Sequence, residues 1–124
     1  MIAWLGAQLR RIGWTCVWSW RGWIAAWASE PALRQWSLAN VLSAAAAFWL
    51  PLTPGERALI LALGILLLAA ELMNTAIETV VNLVSPDRHP LAGKAKDCGS
   101  ACVALAALAA GVAWAVLLWG LWTG

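Results

Sequence analysis

The segment from residue 57 to residue 84 combines the length of a membrane-spanning helix with a row of polar side chains. Its 28 residues would extend roughly 42 Å as an α-helix, against a hydrocarbon core of about 30 Å. Glu71, Asn74 and Glu78 interrupt the apolar pattern and, at 100° per residue, fall within about 60° of one another; Asn82 extends the row. Ionisable groups inside a span are costly and normally face a protein interior or a site. We therefore predict that this polar stripe forms a functional site.

The composition excludes an ordinary soluble domain, because 63% of the 124 residues are hydrophobic and only 11% are charged. We predict an all-α integral membrane protein that forms a single domain over residues 1–124. An amphipathic surface helix within residues 1–34 precedes transmembrane helices at about 35–50, 57–84 and 96–122. Three spans are too few for a large solute pathway within one subunit, so an oligomer is expected.

The aromatic and basic residues indicate how the chain meets the bilayer. Six of the eleven tryptophans lie within residues 1–34, mixed with arginines, a composition typical of the headgroup layer. With three spans, seven of the eight basic residues fall on one side, which the positive-inside rule assigns to the cytoplasm. They are Arg10, Arg11, Arg21, Arg34, Arg88, Lys94 and Lys96. The N-terminus and the polar stripe's C-terminal end are then expected at the cytoplasmic face.

Three polar groups should meet at that face: Glu30 before the first span, the polar stripe, and Lys96 with Asp97 before the last span. One or two carboxylates can hold Mg²⁺ together with phosphate oxygens, while a lysine neutralises phosphate charge. A deeper carboxylate such as Glu71 can accept a proton from an attacking hydroxyl. The glycine-rich loops and catalytic motifs of soluble kinases are missing from the sequence, so phosphoryl transfer here requires another fold.

Three segments resemble the signature of the prokaryotic diacylglycerol kinase family, which consists of small trimeric enzymes of the inner membrane. They are AAWASEPALRQ at residues 25–35, ELMNTAIETVV at residues 71–81 and HPLAGKAKDCGSA at residues 89–101. The likeness covers nearly the whole chain from about Arg11 onward. It implies a homotrimer in the bacterial inner membrane that phosphorylates the sn-3 hydroxyl of diacylglycerol with ATP and Mg²⁺, giving phosphatidic acid.

The resemblance also implies residue roles. Glu71 would be the general base, Asn74 would orient a carboxylate or phosphate oxygen, and Lys96 would complete the catalytic set, while Glu30 and Glu78 would bind the metal. The nucleotide contacts would be Arg11, Trp18, Glu30, Glu78, Asp87, Arg88, His89, Lys96 and Asp97. The lipid substrate contacts would be Arg11, Trp27, Ala32, Arg34, Gln35, Trp49, Glu71, Ser100, Trp114, Leu118 and Trp119.

Four positions depart from the better-known enterobacterial pattern. Trp36 replaces an acidic residue, Ile24 an arginine, and Trp18 and Arg88 each a tyrosine. These changes are expected to affect nucleotide contacts and lipid preference more than the chemistry.

Two other functions remain open: an undecaprenol kinase, since related small membrane kinases prefer that polyprenol, and a proton- or ion-conducting oligomer. ATP, diacylglycerol, the bilayer and further copies of the chain are the expected partners, and nucleic acid is not.

Overall fold

A computed structural model of the chain describes the backbone of all 124 residues and the side chains of all except residues 2 and 3. The backbone forms four α-helices in succession. Helix α1 spans Ile2–Ser29, α2 spans Pro31–Trp49, α3 spans Pro54–Val84 and α4 spans Pro90–Thr123. The predicted all-α fold is confirmed.

Each of the last three helices begins in the same way, with a proline as its first residue. The residue before a proline is driven into an extended conformation, and a proline at the first helical position loses no hydrogen bond. Glu30, Thr53 and His89 accordingly have extended φ/ψ values of −105°/103°, −63°/159° and −131°/134°. The local sequence therefore determines where these three helices begin.

The observed helix boundaries differ from the expected ones mainly at the N-terminal ends. The first break falls at Glu30 rather than after residue 34, because Pro31 starts the new helix. Helix α4 starts at Pro90 rather than residue 96, which brings Lys96 onto its second turn. Helix α3 ends at Val84, and α1 continues without interruption through Gly22.

Helices α3 and α4 pack extensively against each other, and α2 packs on α3. A Cβ atom added to Gly64 would collide with Asn40, and one added to Gly99 would collide with Asn74. These glycines let the helices approach closely, which is a common device in membrane helix pairs. A small core is formed by Ala47, Leu52 and Ile60. It lies at the end of the bundle where α2 joins α3, away from the C-terminal end of the polar stripe. The Trp114 Nε1 donates to Ser43 Oγ at 2.8 Å beside it.

Helices α3 and α4 are long and apolar enough to cross a membrane, whereas α2 does not meet the same criterion. Large apolar side chains are nevertheless exposed on α2 and α4, including Val41 and Phe48 at 65% each and Leu105 at 66%. These features are those of a small membrane protein.

Helix α1 is the least covered part of the fold. Every side chain from residue 9 to residue 22 is exposed, and Ala26 is buried near the end of the helix. Trp14 stacks on Trp18 with ring centroids 6.3 Å apart, and Trp23 on Trp27 at 6.0 Å. The tryptophans thus form two separate pairs along the helix.

Candidate active site

The polar stripe of α3 faces the interior of the helix bundle at Glu71, which is only 5% exposed. One turn later, the Asn74 side chain packs directly against the backbone of Gly99 on α4. A side chain larger than hydrogen at position 99 would displace it. The close approach of α3 and α4 therefore gives the middle of the stripe its protein surroundings.

Asn74 links two parts of the stripe and keeps one unused acceptor. Its Nδ2 donates to Glu78 Oε1 at 3.2 Å. Its Oδ1 is buried and has no hydrogen-bond partner among the atoms that the structure describes. A buried acceptor without a partner is costly, so it calls for a ligand or ordered water.

Glu30 reaches the stripe from the junction between α1 and α2. Its Oε1 accepts a hydrogen bond from Ser29 Oγ at 2.9 Å. The carboxyl groups of Glu30 and Glu78 are both close enough to Glu71 to interact with it electrostatically. These two segments therefore bring three acidic side chains into the same region of the chain.

Lys96 brings a positive charge to the C-terminal end of the stripe. Its Nζ donates to Asn82 Oδ1 at 2.7 Å, across the two helices and the loop that joins them. Asn82 was predicted as part of the stripe, but no site role was predicted for it. The signal was its spacing of four residues from Glu78, which places both side chains on one helix face.

A cavity of about 570 Å³ lies at the α3–α4 loop. Residues 85–90 form one wall and Asn82, Gly93 and Lys96 contribute to the other. The cavity thereby collects three residues predicted to contact the nucleotide in the loop, Asp87, Arg88 and His89. His89 also has a structural role, since its Nδ1 accepts the Leu91 N–H at 3.2 Å and caps α4.

The donor set suits Mg²⁺ bound with a nucleotide rather than a metal held by protein alone. Among the side chains that the structure describes, no three His, Cys, Asp or Glu residues cluster closely enough to hold a metal ion. Mg²⁺ typically uses only one or two carboxylates, with phosphates and water completing its shell. Glu30, Glu78 and the unpartnered Asn74 Oδ1 provide hard oxygen donors of that kind.

Other predicted nucleotide residues do not join this group within one chain. Arg11 and Trp18 lie on the exposed stretch of α1 from residue 9 to residue 22, where Trp18 stacks on Trp14. Asp97 follows Lys96 on α4 and is exposed, as is the predicted lipid contact Ser100.

The predicted lipid contacts divide into two groups at different depths. Arg34, with Ala32, Gln35 and Trp27, lies at the α1–α2 junction beside Glu30, and its Nη1 donates to Trp27 O at 2.6 Å. Trp114 packs instead against the core that contains Ile60, about 16 Å along α3 from Glu71 by residue rise. The remaining contacts at this second level are exposed aromatic or apolar side chains: Trp49, Leu118 and Trp119.

The sequence matches the model of the prokaryotic diacylglycerol kinase family over residues 17–118. The chain belongs to this family. The matched region contains every predicted site residue except Arg11 and Trp119.

Bacterial relatives of the chain are similar to it in sequence over most of their length. The diacylglycerol kinase of Escherichia coli K12 is 41% identical over 101 residues, covering 82% of this chain and 83% of the relative. That of Pseudomonas aeruginosa PAO1 is 46% identical over 99 residues, or 80% of both chains. That of Haemophilus influenzae is 36% identical over 94 residues, which are 76% of this chain and 80% of the relative. The similarity therefore extends over most of the chain and is not limited to one motif.

Proposed function

We propose that this protein transfers the γ-phosphoryl group of ATP to the sn-3 hydroxyl of diacylglycerol and produces phosphatidic acid. Membership of the prokaryotic diacylglycerol kinase family supports the reaction class and the substrates. The observation that carries the mechanism is the burial of Glu71 beside two further carboxylates. Together they provide a base inside the apolar layer and metal-binding oxygens next to it.

Glu71 acts as the general base in this proposal. A membrane-borne hydroxyl that approaches its carboxylate gives its proton to Glu71 as the oxygen attacks the γ-phosphorus. The bond from that phosphorus to the β,γ-bridging oxygen breaks, and ADP leaves. The 5% exposure of Glu71 limits access of water, so hydrolysis of ATP competes poorly with transfer to the lipid. Positioning of the hydroxyl in line with the γ-phosphate supplies most of the remaining rate.

Glu30 and Glu78 would hold Mg²⁺ with the nucleotide, and Asn74 keeps Glu78 in place through its 3.2 Å hydrogen bond. When bound, Mg²⁺ neutralises phosphate charge. Lys96 binds phosphate oxygens from the opposite side of the loop cavity. The nucleotide lies along that cavity, where Asp87, Arg88 and His89 contact it.

We further propose that the active protein is a homotrimer in the bacterial inner membrane, with its N-terminus and site on the cytoplasmic side. Helix α2 would be the third span: its 19 residues extend about 28 Å, and no charge occurs from residue 35 to residue 50. Arg11, Trp18 and Asp97, which stand apart from the carboxylates within one chain, would complete a site on a neighbouring copy. The exposed apolar faces of α2 and α4 would be covered by lipid and by those copies.

The decisive experiment measures transfer of label from γ-labelled ATP into purified lipids by the reconstituted protein. We expect Mg²⁺-dependent labelling of diacylglycerol and much weaker labelling of undecaprenol in a parallel reaction. Preferential labelling of undecaprenol would overturn the substrate assignment. ATP-independent ion flux in liposomes, without lipid labelling, would overturn the kinase assignment itself.

A further inference from the structure

The ammonium group of Lys96 is held by a side chain from the other long helix. The 2.7 Å distance from Lys96 Nζ to Asn82 Oδ1 is short for an N–H···O hydrogen bond, and the partners are 14 residues apart along the chain. A lysine side chain is otherwise flexible, with four rotatable bonds. This contact therefore restricts where the positive charge can be.

The partner is a neutral amide, and that choice has chemical consequences. An ammonium has three N–H donors, so the bond to Asn82 leaves two for phosphate oxygens. A carboxylate at the same place would also hold the ammonium, but it would offset the positive charge that a polyphosphate needs. The amide fixes the position of Lys96 and leaves its charge intact.

Asn82 and Lys96 face the same cavity, whose other wall is the loop from Ser85 to Pro90. We propose that Asn82 is a positioning residue for phosphoryl transfer, which holds the Lys96 ammonium against the polyphosphate in this cavity. The inference rests on the proposed function, since it assumes that Lys96 binds the nucleotide's phosphates.

The surroundings of Asn82 argue against a mainly structural role. Asn82 lies in the last turn of α3 and is exposed. The close packing of α3 on α4 lies about two turns earlier on α3, where Asn74 meets Gly99. Loss of the Asn82 side chain should therefore leave the fold intact and release Lys96.

Two variants separate the position of the charge from its strength. Asn82→Leu removes the acceptor with little change in size, and we expect kcat/KM for ATP to fall about tenfold, as for a lost hydrogen bond to a charged group. Asn82→Asp keeps an acceptor and should lose less. Thr79→Val is the matched control, because Thr79 is also exposed on α3 and bonds only within its own helix; it should retain the parental value.

A chemical readout tests the contact without requiring activity. Lys96 and Lys94 are labelled with an amine-specific reagent in the full-length reconstituted protein without nucleotide, and Lys94, which is exposed, serves as the internal reference. Asn82→Leu should raise the ratio of Lys96 to Lys94 labelling several-fold, and Asn82→Asp should not. An unchanged ratio in Asn82→Leu, or a parental kcat/KM, would overturn the proposal. If the parental protein shows this protection but phosphorylates no lipid, the proposed function fails while the contact stands.

Discussion

The two ends of α3 use polar residues in opposite ways. At the N-terminal end, every strong polar group has a local partner: Thr53 Oγ1 accepts the Glu56 N–H at 3.3 Å, and Glu56 Oε2 accepts the Thr53 N–H at 2.7 Å. Arg57 Nε donates to Ala47 O at 2.9 Å and Nη2 to Leu52 O at 3.1 Å. These bonds close the turn between α2 and α3 and give each of the three side chains local hydrogen-bond partners.

Toward the C-terminal end of α3, some polar side chains keep donors or acceptors without a hydrogen-bond partner in the part of the chain that the structure describes. Glu71 is buried, and its carboxyl group receives no hydrogen bond from the side chains that the structure describes. Asn74 keeps an unpartnered acceptor, and Lys96 uses one of its donors on a neutral amide. Residues that only stabilise a fold satisfy one another, whereas a site must keep groups available for ligands. We therefore predict that the polar groups at the N-terminal end of α3 are structural and that those toward its C-terminal end are functional.

The largest effect should come from Glu71→Gln, which removes the base and keeps the shape. We expect kcat to fall by about 10²- to 10⁴-fold, the usual contribution of general base catalysis, while nucleotide binding and thermal stability persist. Glu56→Gln is the control at the other end of α3 and should retain the parental rate. Lipid labelling at the parental rate by Glu71→Gln would show that Glu71 is not the base.

Gly99→Ala should have the next largest effect on activity. The added methyl group collides with Asn74 Oδ1, so the Asn74 side chain must turn and release Glu78. Overpacking of this kind costs about 1–3 kcal/mol, and we expect at least a tenfold loss of kcat/KM. Gly120→Ala adds the same methyl group to the same helix in open space and should leave the rate unchanged. Equal rates in both variants would contradict the assigned contact.

Arg57→Met should lower stability and leave catalysis alone. The variant loses two hydrogen bonds to the α2–α3 turn and the position of the guanidinium 5.1 Å from the Phe48 ring centroid. We expect the free energy of unfolding to fall by about 2 kcal/mol. Unfolding in detergent, followed by circular dichroism, measures the loss. A selective loss of kcat without loss of stability would break the division between the two ends.

Ser43→Ala should have the smallest effect. It removes the acceptor for Trp114 Nε1, and we expect a stability loss of about 1 kcal/mol with kcat for a short-chain diacylglycerol unchanged. Trp114 packs beside Ile60, about 16 Å from Glu71 along α3, so any effect on the reaction should be confined to KM for long acyl chains. A large fall in kcat for the short-chain lipid would mean that the region around Trp114 takes part in the reaction.

Local sequence accounts for much of the fold. The prolines at positions 31, 54 and 90 fix three helix starts, and the long apolar segments predict α3 and α4 as candidate spans. The first break falls at Glu30 and not after residue 34, because the Glu30–Pro31 pair ends α1 before the uncharged segment begins. Proline geometry acts within two residues and therefore outweighs a composition boundary.

The site was predictable in its residue types and only partly in its contacts. Helical periodicity places Glu71, Asn74 and Glu78 on one face, and the motif identifies Glu30 and Lys96. Periodicity does not reveal that Lys96 bonds to Asn82, because that contact depends on how α3 and α4 cross. The distance between Trp114 and Glu71 likewise depends on which levels of the helices face each other.

The sequence by itself determined the starting points of α2, α3 and α4, the polar stripe and the apolar surfaces, because each follows from dihedral preference, helical period or side-chain polarity. The tertiary structure decided which polar groups form hydrogen bonds within the protein and which keep donors or acceptors available for a ligand. Those outcomes depend on approaches between distant segments, such as Asn74 against Gly99 and Glu30 near Glu71. A missing Cβ permits the first approach and the turn at Glu30–Pro31 permits the second, and no single helix contains either contact.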